Sequence, residues 1–410
     1  MKQLNYDIWL SQTVGAVKSL PKILDFYGSP RAIYEDTPSG REKSKVFTRE
    51  ALQKMEETSL DATYLVLEQC YRENIDILCP EDPEYPFLLT LISDAPRILY
   101  AKGNLHCWQD KLPFAMVGTR NAGLLSRHVA GDLAGTLTRA GLLVVSGGAL
   151  GIDSASHIGA LNAGGETVAV LGAGFGADYL RQNESLRTVI SQNGALLSEL
   201  PPGYPSSRGT FPRRNRIIAG MTAGTLVIEA QIKSGSLITS KAAQNYNREV
   251  MAVPGEELSL AFSGSNQLLK DGATPVRSAW DVIRTLYPMY PGAISRECLI
   301  ALEEELFRDV VEAAVNPHMP VLDRQRTESA QVAANSLQAT RKALRKKEMK
   351  GDVSPLAQQV YAVFDGRPLN IDGLLSQTGL TTNQLLGALT ELELTGYLEP
   401  DDSRNYNFKQ

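Results

Sequence analysis

Leu142-Leu143-Val144-Val145-Ser146-Gly147-Gly148-Ala149-Leu150-Gly151-Ile152-Asp153 passes from a short apolar run through three glycines into a stretch that can coil as a helix. A brief apolar run ended by a glycine turn reads as a fully buried strand. The same order recurs on either side. Phe114–Val117 leads into Gly118-Thr119-Arg120, and Thr167–Leu171 leads into Gly172-Ala173-Gly174. Ala195–Ser198, Thr225–Ile228 and Val250–Val253 are further strand candidates, with helical patterns between most of them. Such alternation predicts an α/β domain, a mostly parallel sheet with helices on both faces.

The flanks read differently. Residues 1–75 carry short helical patterns broken by Pro21, Gly28 and Pro30. From Leu78 to Gly103, with Pro80, Pro83, Pro86 and Pro96, the chain reads as a connector into the sheet domain. Residues 288–352 read as a helical and basic linker: Cys298–Val315 has an amphipathic pattern, and Arg341–Lys350 holds six basic residues and one acid. Residues 353–410 form another module. Ala357–Phe364, Ile371–Gln377 and Thr382–Leu394 read as helices and Tyr397–Phe408 as a hairpin, which together suggest a winged helix. The expected domains are therefore 1–75, 76–287, 288–352 and 353–410.

At 410 residues the chain exceeds one core. Its apolar runs fall short of the ~20 residues that span a bilayer, and the start MKQLNYDIWLSQ lacks the apolar centre of a signal peptide. Cys70, Cys79, Cys107 and Cys298 are scattered, which fits reduced thiols in a cytoplasm and no zinc site. The four histidines lack ligand spacing, so neither metal nor cofactor is expected. A net charge of -5 excludes bulk positive charge as a way of holding nucleic acid; a local groove must do it.

Such a patch exists. Between Leu200 and Ile228 there are four arginines, Arg208, Arg213, Arg214 and Arg216, with no Asp, Glu or Lys, and Phe211 stands among them. Guanidinium forks match phosphate, and an aromatic face can stack on a base. The glycine turns after the strands lead into helices, whose N-termini attract anions, and in a parallel sheet all of them face one crevice. A dinucleotide is not expected there. The first turn lacks Gly-x-Gly-x-x-Gly, and Ser146 occupies the place of the ribose-binding acid. Gly-Lys-Ser/Thr is absent as well. Ser234-Gly235-Ser236-Leu237-Ile238-Thr239-Ser240-Lys241 offers hydroxyls that either cap a helix or hold a phosphate oxygen. Asp153 reads as a cap and His157 as a packed core histidine; no catalytic constellation assembles.

At these motifs the chain resembles the DNA processing protein A (DprA/Smf) family. The resemblance covers roughly 110–280, through Val117–Arg120, Val145–Leu161, Thr167–Gly174, Leu197–Pro201, Phe211–Gly220, Val227–Thr239, Val250–Gly255 and Gly264–Val276. Gly148, Leu180 and Asn247 depart from its usual Leu, Pro and Gly. It implies an extended Rossmann-like domain that binds single-stranded DNA and passes it to the RecA recombinase during natural transformation. It also implies a homodimer without established catalytic activity, an N-terminal sterile-alpha-motif-like domain and a C-terminal winged helix. Its strand-contacting positions fall on Arg120, Ser146, Gly147, Arg208, Phe211 and Arg214; Arg213 and Arg216 join from the cation cluster, and Lys241 by charge and placement. The winged-helix module, with three Arg/Lys against seven Asp/Glu and no Arg or Lys from Thr381 to Thr395, is expected to contact protein rather than duplex DNA. The alternative is a Rossmann-like nucleoside monophosphate phosphoribohydrolase, faintly echoed by Ala223-Gly224-Thr225 with Glu229.

Overall fold

In a computed structural model the residues described are 4–178, 181–294, 300–304, 353–363, 371–395, 397–400 and 406–408. They fall into two units, Met1–Glu303 and Glu304–Gln410. The basic stretch Arg341–Lys350 lies outside the described residues, as does the Cys298–Val315 pattern apart from 300–304.

The first unit begins with helices α1 (Leu4–Thr13), α2 (Leu20–Tyr27), α3 (Pro30–Glu35), α4 (Pro38–Ser44), α5 (Arg49–Glu57) and α6 (Leu60–Arg72). Their punctuation is local chemistry. Ser29, Thr37, Thr48 and Ser59 each precede a helix and accept a hydrogen bond from the backbone N–H three residues on. Pro30 and Pro38 occupy first-turn positions, where a missing N–H costs nothing. Trp9, Leu10, Leu20, Ile23, Ile33 and Met55 form the core of this layer.

Nine strands follow: β1 (Asp76–Leu78), β2 (Leu99–Gly103), β3 (Leu112–Val117), β4 (Leu142–Ser146), β5 (Thr167–Leu171), β6 (Gly194–Ser198), β7 (Gly224–Val227), β8 (Glu249–Ala252) and β9 (Thr274–Pro275). The connecting helices are α7 (Phe87–Thr90), α8 (Leu124–Arg139), α9 (Ile152–Asn162), α10 (Glu184–Gln192), α11 (Thr210–Gly220), α12 (Ser236–Asn245), α13 (Ser263–Lys270) and α14 (Ala279–Leu286). The sheet order is β1-β2-β6-β5-β4-β3-β7-β8-β9. From β6 to β9 every pairing is parallel, while β1 and β2 run antiparallel at the edge. All residues of β3, β4, β5 and β6 are buried, as strands covered on both faces must be.

The segment read as a connector differs. Ile98, Leu99, Tyr100 and Ala101 are all at most 1 % exposed, and β2 pairs along β6 with Tyr100 opposite Ser198. The prolines stay outside the strands, in the loop bearing α7, so their density hid two strands that lose no ladder donor to them.

The second unit holds helices Pro355–Val363, Ile371–Thr378 and Thr382–Leu394, then an antiparallel pair, Leu398–Pro400 with Tyr406–Phe408. This winged helix has its own core around Ala357, Val360, Leu374, Leu385, Leu389 and Leu392. Thr381 and Gln384 start its third helix with a capping box.

Candidate nucleic-acid interface

From β3 the chain winds outward through β4, β5 and β6, then returns to lay β7 on the other side of β3. This reversal opens a crevice beyond the carboxyl ends of the strands. Glu229, just past β7, straps its edge. Its carbonyl accepts from the Thr119 N–H at 2.8 Å and its buried carboxylate from the Gly123 N–H at 3.4 Å. The turn after β4 needs its glycines. Gly148 has φ 62 and Gly151 φ 79, and a Cβ on Gly151 would collide with the carbonyls of Thr119 and Arg120.

Helix α11 gathers these turns. Thr210 Oγ1 donates to the Gly172 carbonyl at 2.7 Å. Arg214 Nη1 donates to the carbonyls of Gly147 and Val170, the latter at 2.7 Å, and its Nε donates to Asn215 Oδ1 at 2.8 Å. Asn215 Nδ2 in turn donates to the Gly235 carbonyl at 3.1 Å. The first two turns of α11 thus join the loops after β4, β5 and β7. Phe211 lies against Gly172, where a Cβ would press 2.8 Å from the ring. Over that ring, 4.9 Å from its centroid, sits the exposed guanidinium of Arg120. This cation–π stack, assembled from residues ninety-one positions apart, is the accessible face of the site.

The other expected residues separate into two groups. Arg208 is exposed ahead of α11, and Arg213 is about half exposed, 3.5 Å from Glu199. Lys241 is exposed on α12. Ser146, Gly147, Arg214 and Arg216 are not open to a ligand through their side chains. Ser146 is buried, with its hydroxyl donating to the Met116 carbonyl at 2.6 Å. Arg214 is 6 % exposed, and its guanidinium fills the space that a side chain on Gly147 would need. Arg216 pairs with Glu199 and donates to the Asp94 carbonyl. The physical reason is that α11 is packed on both sides: Arg214 and Arg216, two apart and so on opposite faces, meet the glycine turns and the Glu199–Asp94 side respectively. The acid-free run also begins one residue after Glu199, the carboxylate that folds back onto it.

The hydroxyls of Ser234-Gly235-Ser236 are spent locally. Ser234 Oγ lies 2.8 Å from Ser236 Oγ and accepts from the Ser236 N–H at 3.4 Å. Asp153 is not the cap, which is Gly151; it is buried in the first turn of α9 and accepts from the Ala149 N–H at 3.3 Å, bracing the glycine turn. Burial raises its carboxyl, with the Arg214 charge opposing. His157 is fully buried. Its Nδ1 is 2.8 Å from Thr167 Oγ1, which spends its own proton on the Val144 carbonyl, so Nδ1 carries the hydrogen. Desolvation, aided by the Arg214 charge, lowers the His157 pKa to about 3.

Sequence reasoning missed Glu199 and Asn215, whose roles depend on what stands at the end of β6 and on a helix face, neither of which has a local signature.

The family model of DNA recombination-mediator protein A matches residues 76–287, and that of the DprA winged helix domain matches 345–402. Protein Smf of Synechocystis sp. is 31 % identical over 343 residues, spanning 83 % of this chain and 82 % of that protein. DNA processing protein DprA of Bacillus subtilis is 38 % identical over 217 residues, spanning 53 % and 73 % respectively. The X-ray structure of DprA from Streptococcus pneumoniae superposes with a TM-score of 0.60 at 31 % identity, covering 69 % of this chain and 98 % of that one.

Proposed function

This chain belongs to the DNA recombination-mediator protein A family, and from that premise we propose that it binds single-stranded DNA without sequence preference and helps load the RecA recombinase onto it during DNA uptake. The observation that carries the reading is the Arg120–Phe211 stack at the mouth of the glycine turns. A base entering here takes the place of the Arg120 guanidinium over the Phe211 ring, and every base has a face to offer. Arg120, Arg208 and Arg213 supply cations for the phosphates, while Arg214 and Asn215 keep the turns beneath them in place. A paired base inside a duplex has no free face to offer this ring. Binding is therefore selective for unpaired strands and weakens with salt.

The placement of the acids disfavours the enzyme alternative. Glu229, the acid it would need, is buried with its carboxylate turned to the Gly123 N–H, and Asp153 and His157 serve the interior. Release of free base from a nucleoside monophosphate by the pure protein would restore it. A homodimer and a cytoplasmic location belong to the same proposal.

The test is fluorescence anisotropy with labelled oligo-dT against matched duplex over a salt series. Wild-type protein should prefer the single strand, and Phe211→Ala should lose about 1–3 kcal/mol of affinity, roughly 5- to 150-fold. Equal affinity for duplex, or an unaffected variant, refutes the strand-binding reading. RecA loading is checked by strand exchange with and without the protein.

A further inference from the structure

Helices α11 and α12 flank a second concavity of about 550 Å³. Pro212 and Arg216 line it from α11, Ile238 and Lys241 from α12, Lys233 from the turn before α12, and Lys18 from the segment between α1 and α2. Lys18, Lys233 and Lys241 are exposed, and no ion pair engages them among the described residues. Asp94 also lines the groove, but it is occupied: its carboxylate accepts from the Tyr246 hydroxyl at 2.7 Å and its carbonyl from Arg216. Three exposed lysines therefore gather against a single carboxylate, Asp94, on a molecule of net charge -5. Between them the surface is apolar, with Ile232 64 % and Ile238 43 % exposed. Cations around apolar surface suit a polymer that carries both phosphates and bases.

The groove and the Arg120–Phe211 stack are joined through the first turn of α11. Pro212 follows Phe211 directly, and half-exposed Arg213 comes next. A helix is only ~10 Å across, so a strand crossing the start of α11 leaves one site and enters the other. The helical layer takes part through a tight turn. Gly15, at φ 69, lies beside Arg213, a Cβ on it coming 3.8 Å from Arg213 Nη2, and the same segment presents Lys18.

We propose that an unpaired strand leaving the Arg120–Phe211 stack crosses the N-terminus of α11 and continues along the α11–α12 groove, where Lys18, Lys233 and Lys241 contact its phosphates. The N-terminal helical layer thereby forms part of the DNA path. This rests on the strand-binding reading above and extends it.

The experiment compares the full chain with the triple variant Lys18→Glu/Lys233→Glu/Lys241→Glu and with Phe211→Ala, on labelled oligo-dT of about 4 and about 16 nucleotides. These lysines are exposed, so the thermal midpoint should be unchanged. The triple variant should lose tenfold or more on the longer strand and under about twofold on the shorter, while Phe211→Ala loses on both. Its salt slope on the longer strand should fall by about 2, the worth of three phosphate contacts. Lys18→Glu alone should reproduce part of that loss. A triple variant that matches wild type on the longer strand, with Phe211→Ala still impaired, overturns the inference and leaves the stack intact. Retention of an acidic amphipathic peptide, abolished by the triple variant while DNA affinity stays unchanged, assigns the groove to a protein partner and also overturns it. Wild-type protein that retains neither oligonucleotide brings down the underlying reading and the inference together.

Discussion

Arg214 and Phe211 are three residues apart and do opposite work. One is buried and holds two main-chain carbonyls; the other lies half-buried beneath an exposed guanidinium. Replacing Arg214 with Leu should cost roughly 1–3 kcal/mol for each carbonyl it leaves without a partner, read as a lower thermal midpoint. Arg214→Lys should recover only part of this, since one ammonium cannot reproduce the planar fork. An unchanged midpoint in Arg214→Leu would return this arginine to the role of a free phosphate ligand. His157 gives a pH test. Its native pKa is about 3, against about 6.5 unfolded, so the unfolded chain takes the proton first as pH falls. Its contribution is intact above about pH 6.5 and declines by up to roughly 1.4 kcal/mol per pH unit toward pH 3. Burial raises Asp153, whose contribution runs the other way, so the histidine must be isolated by mutation. His157→Asn, which keeps a donor near Thr167, should flatten the acid-side fall of the melting temperature. A curve parallel to wild type would contradict this.

Among the elements, α1 is shared between two layers. Trp9 and Leu10 belong to the helical core, whereas Ile8 packs with Tyr100, Ala169, Leu171, Phe175 and Leu196 on the sheet. Asp7 completes the attachment, accepting from Arg97 Nε at 2.6 Å with both side chains largely buried. Asp7→Ala should therefore lower stability by about 1.5–3 kcal/mol and speed amide exchange along α1. Exchange rates equal to wild type would show that packing alone secures the helix. Helix α11 plays the corresponding role at the site, since its first turns tie three loops that are remote in sequence. Asn247 is a smaller case. It adopts φ 54, a conformation that suits the Gly usual at this position and that Asn tolerates better than most residues.

At the scale of the whole molecule, charge is distributed unevenly between the two units. The winged-helix module carries a net -4 over residues 353–410, and the helix that would enter a major groove, Thr382–Leu394, contains Glu391 and Glu393 with no Arg or Lys. Glu391 is engaged inside the module: its carboxylate accepts from the Ser354 N–H at 2.7 Å and from the Ser354 hydroxyl, which together hold its pKa below the usual range. The first unit should accordingly carry the single-strand affinity. A chain ended after Glu303 should match the full protein on oligo-dT within about twofold, and residues 353–410 should leave duplex DNA free at physiological salt. Tight duplex binding by that fragment would overturn the assignment.

The apolar runs and glycine turns by themselves determined the α/β class, the parallel strands β3 to β8 and the winged helix, because burial on two faces, tight turns and helix periodicity each leave a local pattern. Local reading also placed Arg120 and Phe211 in one site, although their stacking across ninety-one residues is a product of strand order. The tertiary structure alone decided which arginines are free. Whether a guanidinium meets solvent, a carbonyl or Glu199 depends on the helix face it occupies and on the strand that passes beneath. It likewise decided that a proline-rich segment supplies two edge strands and that Lys18 stands beside Lys233 and Lys241, since proximity between layers arises only once the chain has packed.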